Sequence, residues 1–281
     1  MKLKQKAALS YIRTKFKLLS LISKRQTAEQ AFKLFCTPLS DKPKRKPTIF
    51  KWAEDIQFRM DGMIIRGFRW NHKRATKILI LHGFGSGAYK FYNYIEPLIE
   101  KGYEVVAFDA PAHGSSTGKT VNALQYSNMI TQAIRRHGPF DGYIAHSFGG
   151  LALALTLEKA KHDEDTKVVL IAPATETTSA IDGAFRMLGL KNDVVRKEFD
   201  NIVIEKSGQH PGWFSVKRAM KNINANVLWF HDENDDTTPL DDALKVKEKN
   251  FPNIRFVITK GLGHRRIYTD ETVRKEIIDF L

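Results

Sequence analysis

The sequence predicts an α/β fold with a mostly parallel central sheet, helices on both faces of the sheet and a small helical cap. Short apolar runs recur along the 281-residue chain. They alternate with segments of helical periodicity, which is the pattern of repeated strand–helix–strand units. One long segment, residues 174–225, contains helical pieces and no strand. Hydrophobic residues make up 42% of the chain, which is the ordinary proportion for a globular protein with its own core.

A basic segment precedes these elements. Residues 1–52 hold fourteen Lys and Arg against two acidic residues, so +12 of the overall charge of +14 lies there and only +2 in the remainder. The nearly neutral remainder lacks the basic surface of a nucleic-acid-binding domain, and we expect no nucleic-acid partner. Residues 1–46 are predicted to form a basic helical leader and linker, and residues 47–281 an α/β domain with a cap insertion at about 174–225.

The first predicted helix has an apolar stripe on one side, because five residues recur at steps of four, four, three and three: Ala8, Ile12, Phe16, Leu19 and Ile22. Two roles stay open for it. The favoured one is that the stripe packs against the protein and the lysines face water. The other is adsorption of residues 1–25 to an anionic membrane surface. A second helix is predicted over residues 27–35, and residues 41–47 are predicted to be a solvated linker.

Cysteine usage and hydropathy indicate the compartment. The single cysteine, Cys36, excludes an intramolecular disulfide and a Cys-rich zinc site, and a reducing compartment is expected. Basic residues interrupt the apolar run that a signal peptide needs, and no stretch of eighteen apolar residues exists. We therefore expect a cytoplasmic protein, with peripheral membrane contact through residues 1–25 as the alternative. The sequence indicates no oligomeric state.

The individual elements follow from apolar runs, helical periodicity and turn residues. Residues 56–70 predict a β-hairpin, because alternating apolar residues flank Asp61-Gly62, a typical tight-turn pair. The next elements are predicted as strand 77–81, helix 92–101, strand 103–108, helix 121–136, strand 141–145, helix 148–160, strand 167–171, strand 226–230, helix 239–250, strand 254–258 and helix 271–281. The segment 174–225, with helical pieces at 181–188 and 215–222, is predicted to cover the carboxyl ends of the strands, where open α/β sheets bind ligands.

The most informative segment is Tyr143-Ile-Ala-His-Ser-Phe-Gly-Gly150. A buried strand runs directly into Ser147, and a helix begins just after it. Small neighbours permit a sharp turn that holds the serine hydroxyl at the edge of the sheet, above a helix N-terminus. This segment resembles the nucleophile elbow of the α/β-hydrolase family, with A-x-S-x-G in place of the usual G-x-S-x-G. The resemblance implies the α/β-hydrolase fold and Ser147 as the nucleophile.

Two further loops resemble this family. Leu81-His-Gly-Phe-Gly-Ser86 follows the strand 77–81 as the family's oxyanion loop does. The resemblance implies that the backbone N–H groups of Phe84 and Phe148 form the oxyanion hole. Asp109-Ala-Pro-Ala-His-Gly-Ser115 resembles the loop after the family's fourth strand, with Ala112 in place of a glycine. We interpret this loop as structural, and His113 and His210 as isolated surface histidines.

The acid and the base are expected in two later loops. Phe230-His-Asp-Glu-Asn-Asp-Asp-Thr-Thr-Pro239 follows a strand, and its resemblance to the family's acid loop implies Asp235 as the triad acid. Asp236 and Asp232 remain alternatives. Gly261-Leu-Gly-His-Arg265 follows the last strand and implies His264 as the base. The aspartates of residues 232–236 lack the spacing of a calcium loop, and we expect no metal and no other cofactor.

These residues predict a serine hydrolase that cleaves a carboxylic ester or thioester of a small-molecule acyl substrate. Candidate substrate-binding residues are Phe84, His146, Phe185, Met187, Trp213 and Phe214. The last four lie in the predicted cap and fit an apolar acyl pocket or, by preference, the core of the cap. His146 must point away from Ser147 along the chain, as a packing or pocket residue. The alternatives are a non-catalytic binding protein on the same fold and a membrane-associated lipid hydrolase.

Overall fold

The computed structural model describes residues 3–39 and 45–281 of the chain. Its strands are β1 (Glu54–Met60), β2 (Met63–Trp70), β3 (Lys77–Leu81), β4 (Glu104–Phe108), β5 (Gly142–His146), β6 (Lys167–Ile171), β7 (Asn226–Asp232) and β8 (Ile254–Thr259). They form one sheet in the order β1-β2-β4-β3-β5-β6-β7-β8. Strand β2 pairs antiparallel with both of its neighbours, and the pairs from β4 to β8 are parallel. The predicted mostly parallel sheet is confirmed.

The hairpin of β1 and β2 forms at the predicted position. Asp61 and Gly62 connect the strands with φ values of 49° and 73°, and Met60 pairs with Met63. Two consecutive residues with positive φ are the requirement of the hairpin turn whose twist matches that of the strands. The dipeptide therefore determines this turn locally.

The α-helices of the described residues are α1 (Leu3–Ile22), α2 (Lys24–Phe35), α3 (Tyr92–Glu100), α4 (Ala123–His137), α5 (Phe148–Leu157), α6 (Thr177–Leu188), α7 (Asp193–Ser207), α8 (Val216–Ala219), α9 (Leu240–Lys247), α10 (Gly263–Arg266) and α11 (Glu271–Phe280). Helix α3 contacts α11, and α4 contacts α5. These two pairs of helices pack on the sheet, as the predicted layers of helices on the sheet require. No helix of residues 3–39 and 45–281 combines the length and the hydropathy needed to cross a membrane.

The chain divides into two compact units. The first, which we call the helical unit, consists of the described residues of 1–37 together with 176–214, and the second, the sheet unit, consists of 38–175 and 215–281. Residues 176–214 of the predicted insertion thus cluster with the leader, whereas residues 215–225 stay with the sheet. The division predicted from the sequence, between residues 46 and 47, instead groups residues 176–214 with the sheet domain. That division stays a prediction. Residues 41–44 of the predicted linker lie outside the described residues.

The helical unit is held together by aromatic rings and ion pairs. Phe199 of α7 is buried and its ring centre lies 5.4 to 5.8 Å from those of three other phenylalanines: Phe32, Phe35 and Phe185. Arg25 forms ion pairs with Glu205 at 2.5 Å and with Glu198 at 3.5 Å. Helix α2 begins at Lys24 rather than at residue 27, because the Ser23 side chain caps it by accepting the Gln26 N–H.

The predicted stripe of α1 is only partly buried. Phe16 is buried, Ile12 and Leu19 are half-buried, and Ile22 is exposed to solvent; the Ala8 side chain is outside the described part. The buried side of α1 packs on α2 and α6. The prediction that Ile22 belongs to the buried stripe is therefore wrong, because helix packing in this unit ends one turn earlier.

The sheet topology brings the chemically interesting loops together. Strands β3, β5, β6, β7 and β8 are neighbours and run in the same direction. Their interior residues, such as Ile80, Ile144 and Leu228, are buried in one apolar core. The loops that follow their carboxyl ends therefore meet at one edge of the sheet, where doubly wound folds bind ligands.

Two glycine-to-alanine replacements test the backbone assignments. Gly62→Ala is expected to destabilise the protein by about 1 kcal/mol, because the position needs positive φ. Apart from its chain neighbours, no described residue has an atom within 4 Å of the added methyl group. Gly183→Ala inside α6 is expected to stabilise the protein by about 1 kcal/mol, because the nearest described side-chain atom, on Arg186, would lie 3.9 Å from the added methyl group. Urea unfolding followed by circular dichroism measures both. Equal signs for the two variants would contradict the assignments.

Candidate active site

Ser147 lies at a sharp turn between β5 and α5. Its backbone has a φ of 55° and a ψ of −119°, a conformation that a non-glycine residue adopts only when its surroundings enforce it. The Ser147 N–H donates to the Ile171 carbonyl, and the Ser147 carbonyl accepts the N–H groups of Gly150 and Ala174, each at 3.0 Å. These bonds fix the turn, so that the hydroxyl stands at the carboxyl end of the strand.

Close packing explains the small residues around the turn. A Cβ atom on Gly149 would lie 2.7 Å from the His82 carbonyl oxygen, and one on Gly83 would lie 2.8 Å from the His146 Nδ1. Both distances are too short for a Cβ atom, and the atoms it would meet belong to the backbone or to a buried ring. The loop after β3 and the start of α5 therefore approach each other so closely that only glycines fit.

Ser147, His264 and Asp235 form one chain of hydrogen bonds. His264 Nε2 lies 2.9 Å from Ser147 Oγ, and His264 Nδ1 lies 2.8 Å from Asp235 Oδ2. His264 sits on α10, and Gly261 and Gly263 before it have φ values of 84° and 63°. These glycines let the chain turn sharply from β8 and direct the imidazole back toward the sheet edge.

Among the three candidate acids, Asp235 is the one that contacts His264. Its side chain is fully buried, and its Oδ1 accepts the N–H groups of Thr237 and Thr238, both at 2.8 Å. Burial alone raises the pKa of Asp235, but the hydrogen bond and electrostatic interaction with His264 and these N–H donors outweigh it, and the pKa is lowered. Asp235 thus stays a carboxylate in the folded protein. Asp236 is exposed and accepts the Thr237 hydroxyl.

Asp232 joins two loops instead of orienting the histidine. Its Oδ2 accepts the Thr259 hydroxyl at 2.7 Å and the Leu262 N–H at 3.0 Å. Asp232 ends β7, whereas its two donors end β8 and begin the loop that carries His264. This aspartate therefore positions the loop of the candidate base. Among the residues that the structure describes, no group of three or more His, Cys, Asp or Glu side chains is placed to hold a metal ion.

Thr238 is a site residue that the sequence analysis missed. Its Oγ1 lies 2.9 Å from Asp235 Oδ2, 3.1 Å from His264 Nδ1 and 3.3 Å from the Ala172 carbonyl oxygen. The hydroxyl is buried, so it completes the polar surroundings of the Asp235–His264 pair. An aspartate followed three residues later by a threonine is typical of a side-chain-capped turn, and this signal was present in the sequence.

The candidate oxyanion donors stand beside the turn. Phe148 is the first residue of α5, where a backbone N–H has no partner within the helix and the helix dipole is positive. Among the hydrogen bonds of the described residues, neither the Phe84 N–H nor the Phe148 N–H donates to a protein acceptor. The rings of these two phenylalanines are 5.7 Å apart, and the Phe84 side chain is 41% exposed. Both N–H groups therefore remain available to a ligand oxygen.

Two buried histidines hold the loop that carries Phe84. The His82 Nδ1–H donates to the Gly83 carbonyl, and its Nε2 accepts the Ala110 N–H. His113 Nε2 accepts the Gly85 N–H at 2.9 Å. Burial lowers the pKa of His82 to about 4 and that of His113, with a contribution from His82, to about 3. His113 is thus neutral and buried. Its interpretation as a surface residue is wrong, because the loop after β3 packs over the ring and donates the Gly85 N–H to it.

The loop between Asp109 and Ser115 has the structural role expected of it. The Asp109 carboxylate accepts the N–H groups of Ala88 and Ser115 at 2.9 and 2.8 Å. A Cβ on Gly114 would lie 2.3 Å from this carboxylate. Ala112, which replaces a family glycine, has a φ of 64° and thus keeps the conformation that glycine adopts most easily.

His146 packs behind the candidate base. Its Nε2–H donates to the His264 carbonyl at 3.0 Å, and its ring centre lies 4.7 Å from that of His264 and 4.5 Å from that of Tyr268. Burial, reinforced by the electrostatic interaction with His264, lowers the pKa of His146 to about 3. The residue is thus a neutral support of the His264 backbone.

The remaining candidate substrate-binding residues belong to the helical unit. Phe185 and Phe214 are buried there, and their rings contact those of Phe199 and Trp213 at 5.4 and 5.2 Å. Met187 is 51% exposed. Their role in substrate binding stays a prediction.

The buried neutral histidines predict a loss of stability in mild acid. Their folded-state pKa values lie below the value of about 6.5 in an unfolded chain. The unfolded state therefore binds more protons as the pH falls, and the free energy of unfolding decreases with it. Between pH 7 and pH 5 each such histidine is expected to remove about 2 kcal/mol. Urea titrations at the two pH values measure the difference.

His113→Gln is expected to reduce this pH-dependent loss by about 2 kcal/mol, whatever its effect at neutral pH. The control is His210→Gln, because His210 is exposed and forms no ion pair with a carboxylate of the described residues, and it is expected to leave the loss unchanged. A His113→Gln protein with the wild-type pH dependence would contradict the neutral, buried state of His113.

Part of the chain matches a known protein family and several known proteins. Residues 76–201 match the family described as alpha/beta hydrolase fold. Methylesterase 1 of Arabidopsis thaliana is 34% identical over 114 residues, which cover 37% of this chain and 43% of that protein. An uncharacterized Bacillus subtilis protein, YqkD, is 23% identical over 231 residues, 78% of this chain and 76% of its own. The match thus spans less than half of the methylesterase.

The fold also resembles those of solved structures. The esterase Pf2001 of Pyrococcus furiosus superimposes with a TM-score of 0.65 and 18% identity, over 88% of this chain and 97% of its own. At this level of sequence identity, the similarity shows a shared fold and nothing further. Together with the strand order and the match over residues 76–201, it confirms the resemblance noted in the sequence: the protein has the fold of the α/β-hydrolase family.

Proposed function

We propose that the protein is a serine hydrolase that cleaves a carboxylic ester or thioester of a small-molecule acyl substrate. The observation that carries the proposal is the continuous hydrogen-bond chain from Ser147 Oγ to His264 Nε2, at 2.9 Å, and from His264 Nδ1 to Asp235 Oδ2, at 2.8 Å. These are the distances at which an imidazole takes a proton from a hydroxyl while a carboxylate orients it.

In the first half-reaction His264 Nε2 takes the Ser147 hydroxyl proton as Oγ bonds to the acyl carbon. The carbonyl oxygen then carries a negative charge, and the N–H groups of Phe84 and Phe148 donate hydrogen bonds to it. Each such donor is worth about 3–4 kcal/mol of the barrier. The tetrahedral intermediate collapses when the bond to the leaving alkoxide or thiolate breaks, and the imidazolium of His264 returns the proton to that group.

In the second half-reaction water replaces the leaving group. His264 Nε2 takes a proton from the water as its oxygen bonds to the acyl carbon of the Ser147 ester. Collapse of the second intermediate breaks the bond to Oγ, and Oγ recovers a proton from the imidazolium. Acid product and free enzyme result, and no cofactor takes part.

Asp235 holds the imidazole of His264 in the tautomer that both half-reactions need. With its lowered pKa it remains negatively charged, accepts the His264 Nδ1–H and leaves Nε2 free to accept the serine proton. The charge also stabilises the imidazolium between the two proton transfers. Thr238, 2.9 Å from Asp235 Oδ2, restrains the carboxylate in this position.

The names of the similar proteins support an ester as the substrate. Two of them, matched over 43% and 35% of their own length, are named methylesterases, and a rice protein matched over 33% is named a probable esterase. The cytoplasmic location stays a prediction.

Replacement of the proposed catalytic groups tests the mechanism. Ser147→Ala is expected to lower kcat/KM for p-nitrophenyl acetate on the order of 10⁶-fold, and Asp235→Asn on the order of 10⁴-fold, because the amide favours the wrong imidazole tautomer. Asp236→Asn is the matched control, since Asp236 is the exposed neighbour, and it is expected to retain wild-type activity. A Ser147→Ala protein with full activity would refute the proposal, and an Asp236→Asn protein as impaired as Asp235→Asn would refute the assigned acid.

A fluorophosphonate probe separates an enzyme from a binding protein on the same fold. We expect covalent labelling of Ser147, because the probe reacts with a serine activated by a neighbouring base. Labelling is measured by mass spectrometry of the tryptic peptides. Folded protein that never reacts, while a series of p-nitrophenyl esters of increasing acyl length is also left intact, would favour the non-catalytic alternative.

A further inference from the structure

Helix α1 exposes four large apolar side chains. The exposed fractions are 71% for Tyr11, 58% for Leu18, 75% for Leu21 and 80% for Ile22. Spacings of seven and four residues place Tyr11, Leu18 and Ile22 on the same side of a helix, and Leu21 adjoins Leu18 at a spacing of three. We call these four residues the apolar face of α1. A single exposed leucine needs no explanation, but four such residues on one helix side are typical of an interaction surface.

A different side of α1 holds the helix in its unit. Phe16 is buried, Ile12 and Leu19 are half-buried, and α1 contacts α2 and α6. Arg13 Nε–H donates to the Met187 carbonyl at 2.8 Å. The packing of the helical unit therefore does not use the apolar face, which remains open to solvent.

The charged residues of α1 all have one sign. Helix α1 carries five Lys and Arg residues and no acidic residue. Lys15 follows Tyr11 by four residues and Lys17 precedes Leu21 by four, so the two lysines border the apolar face on either side. Both are exposed, and within the described part of the chain neither forms an ion pair with a carboxylate. Arg25 of α2, by contrast, is paired with three glutamates.

We propose that α1 binds the surface of an anionic lipid bilayer. In this arrangement the apolar face enters the boundary between headgroups and acyl chains, and Lys15 and Lys17 contact the lipid phosphates. An apolar strip bordered by unpaired lysines has the complementarity that such a surface requires. A second copy of the chain fits less well, because a symmetric contact would oppose the lysines of two α1 helices without an acidic residue to neutralise them.

The surface is independent of the proposed hydrolysis. Binding to vesicles needs no turnover, and the residues of the apolar face are not part of the hydrogen-bond chain at Ser147. Failure of the membrane proposal would therefore leave the hydrolase proposal intact, and the reverse also holds.

Co-sedimentation of the full chain with lipid vesicles tests the proposal. We expect binding to vesicles of equimolar phosphatidylcholine and phosphatidylglycerol at low salt, and at least tenfold weaker binding to phosphatidylcholine alone or at high salt. Leu18→Ser combined with Ile22→Ser is expected to weaken binding at least tenfold, because each side chain loses apolar area that the bilayer would bury. Lys15→Gln combined with Lys17→Gln is expected to remove most of the preference for the anionic vesicles.

Matched controls lie elsewhere on the chain. Trp52→Ser removes an apolar side chain that is 71% exposed, and Lys247→Gln with Lys249→Gln removes two exposed lysines. These variants are expected to bind vesicles as the wild type does. Circular dichroism and the midpoint of urea unfolding show whether each variant is folded.

Three results would overturn the proposal: no binding of the wild type to the mixed vesicles, wild-type binding by the Leu18→Ser/Ile22→Ser variant, or equal weakening by Trp52→Ser. Sedimentation velocity supplies a fourth. A wild-type dimer that the Leu18→Ser/Ile22→Ser variant converts to a monomer would assign the apolar face to a second copy of the chain.

Discussion

The backbone of Ser147 is held at a φ of 55° between β5 and α5, and the arrangement of the candidate site depends on this constraint. A serine adopts such a conformation only where neighbouring groups stabilise it. Here the Ile171 carbonyl of β6 accepts the Ser147 N–H, and three later N–H groups donate to the Ser147 carbonyl. The glycines at 83 and 149 permit the close approach of the loop after β3. The same turn directs the hydroxyl toward His264 and starts α5 at Phe148. The positions of the proposed nucleophile and of one candidate oxyanion donor therefore both follow from this strained turn.

The other site groups are held by buried polar contacts rather than by the sheet alone. Asp232 links the end of β7 to the loop after β8, which carries His264, and His146 supports the His264 carbonyl from behind. His82 and His113 do the same for the loop of Phe84. Because each of these histidines is neutral when buried, it can accept one N–H bond and donate another without the desolvation cost of a charge. Protonation of these supporting histidines, which take no part in the proposed reaction, would therefore disturb the positions of the groups that do.

The helical unit distributes its basic residues between two tasks. Arg13 and Arg25 hold α1 and α2 on the segment 176–214 through a carbonyl and several carboxylates. Lys15 and Lys17 are left facing solvent beside the apolar face of α1. Guanidinium groups suit fixed, directional contacts, whereas ammonium groups on flexible stems suit a diffuse anionic surface. This difference supports the proposal that the arginines hold the helices of the unit together, whereas the lysines and the apolar face of α1 form a binding surface.

The sequence by itself determined the features that depend on local chemistry. Apolar runs and helical spacing predicted the strands and most helices, Asp61-Gly62 predicted the hairpin, and the segment around Ser147 predicted the family resemblance. Only the tertiary structure decided which of Asp232, Asp235 and Asp236 contacts His264, that Thr238 joins that contact, and that Ile22 faces solvent while Phe16 is buried. Each of these depends on how loops from separate strands, or helices far apart in the chain, meet in space. Periodicity describes residues near one another in sequence, so it contains no information about such meetings. The resemblance of three separate loops to one family implied Asp235 as the acid but left Asp232 and Asp236 as alternatives.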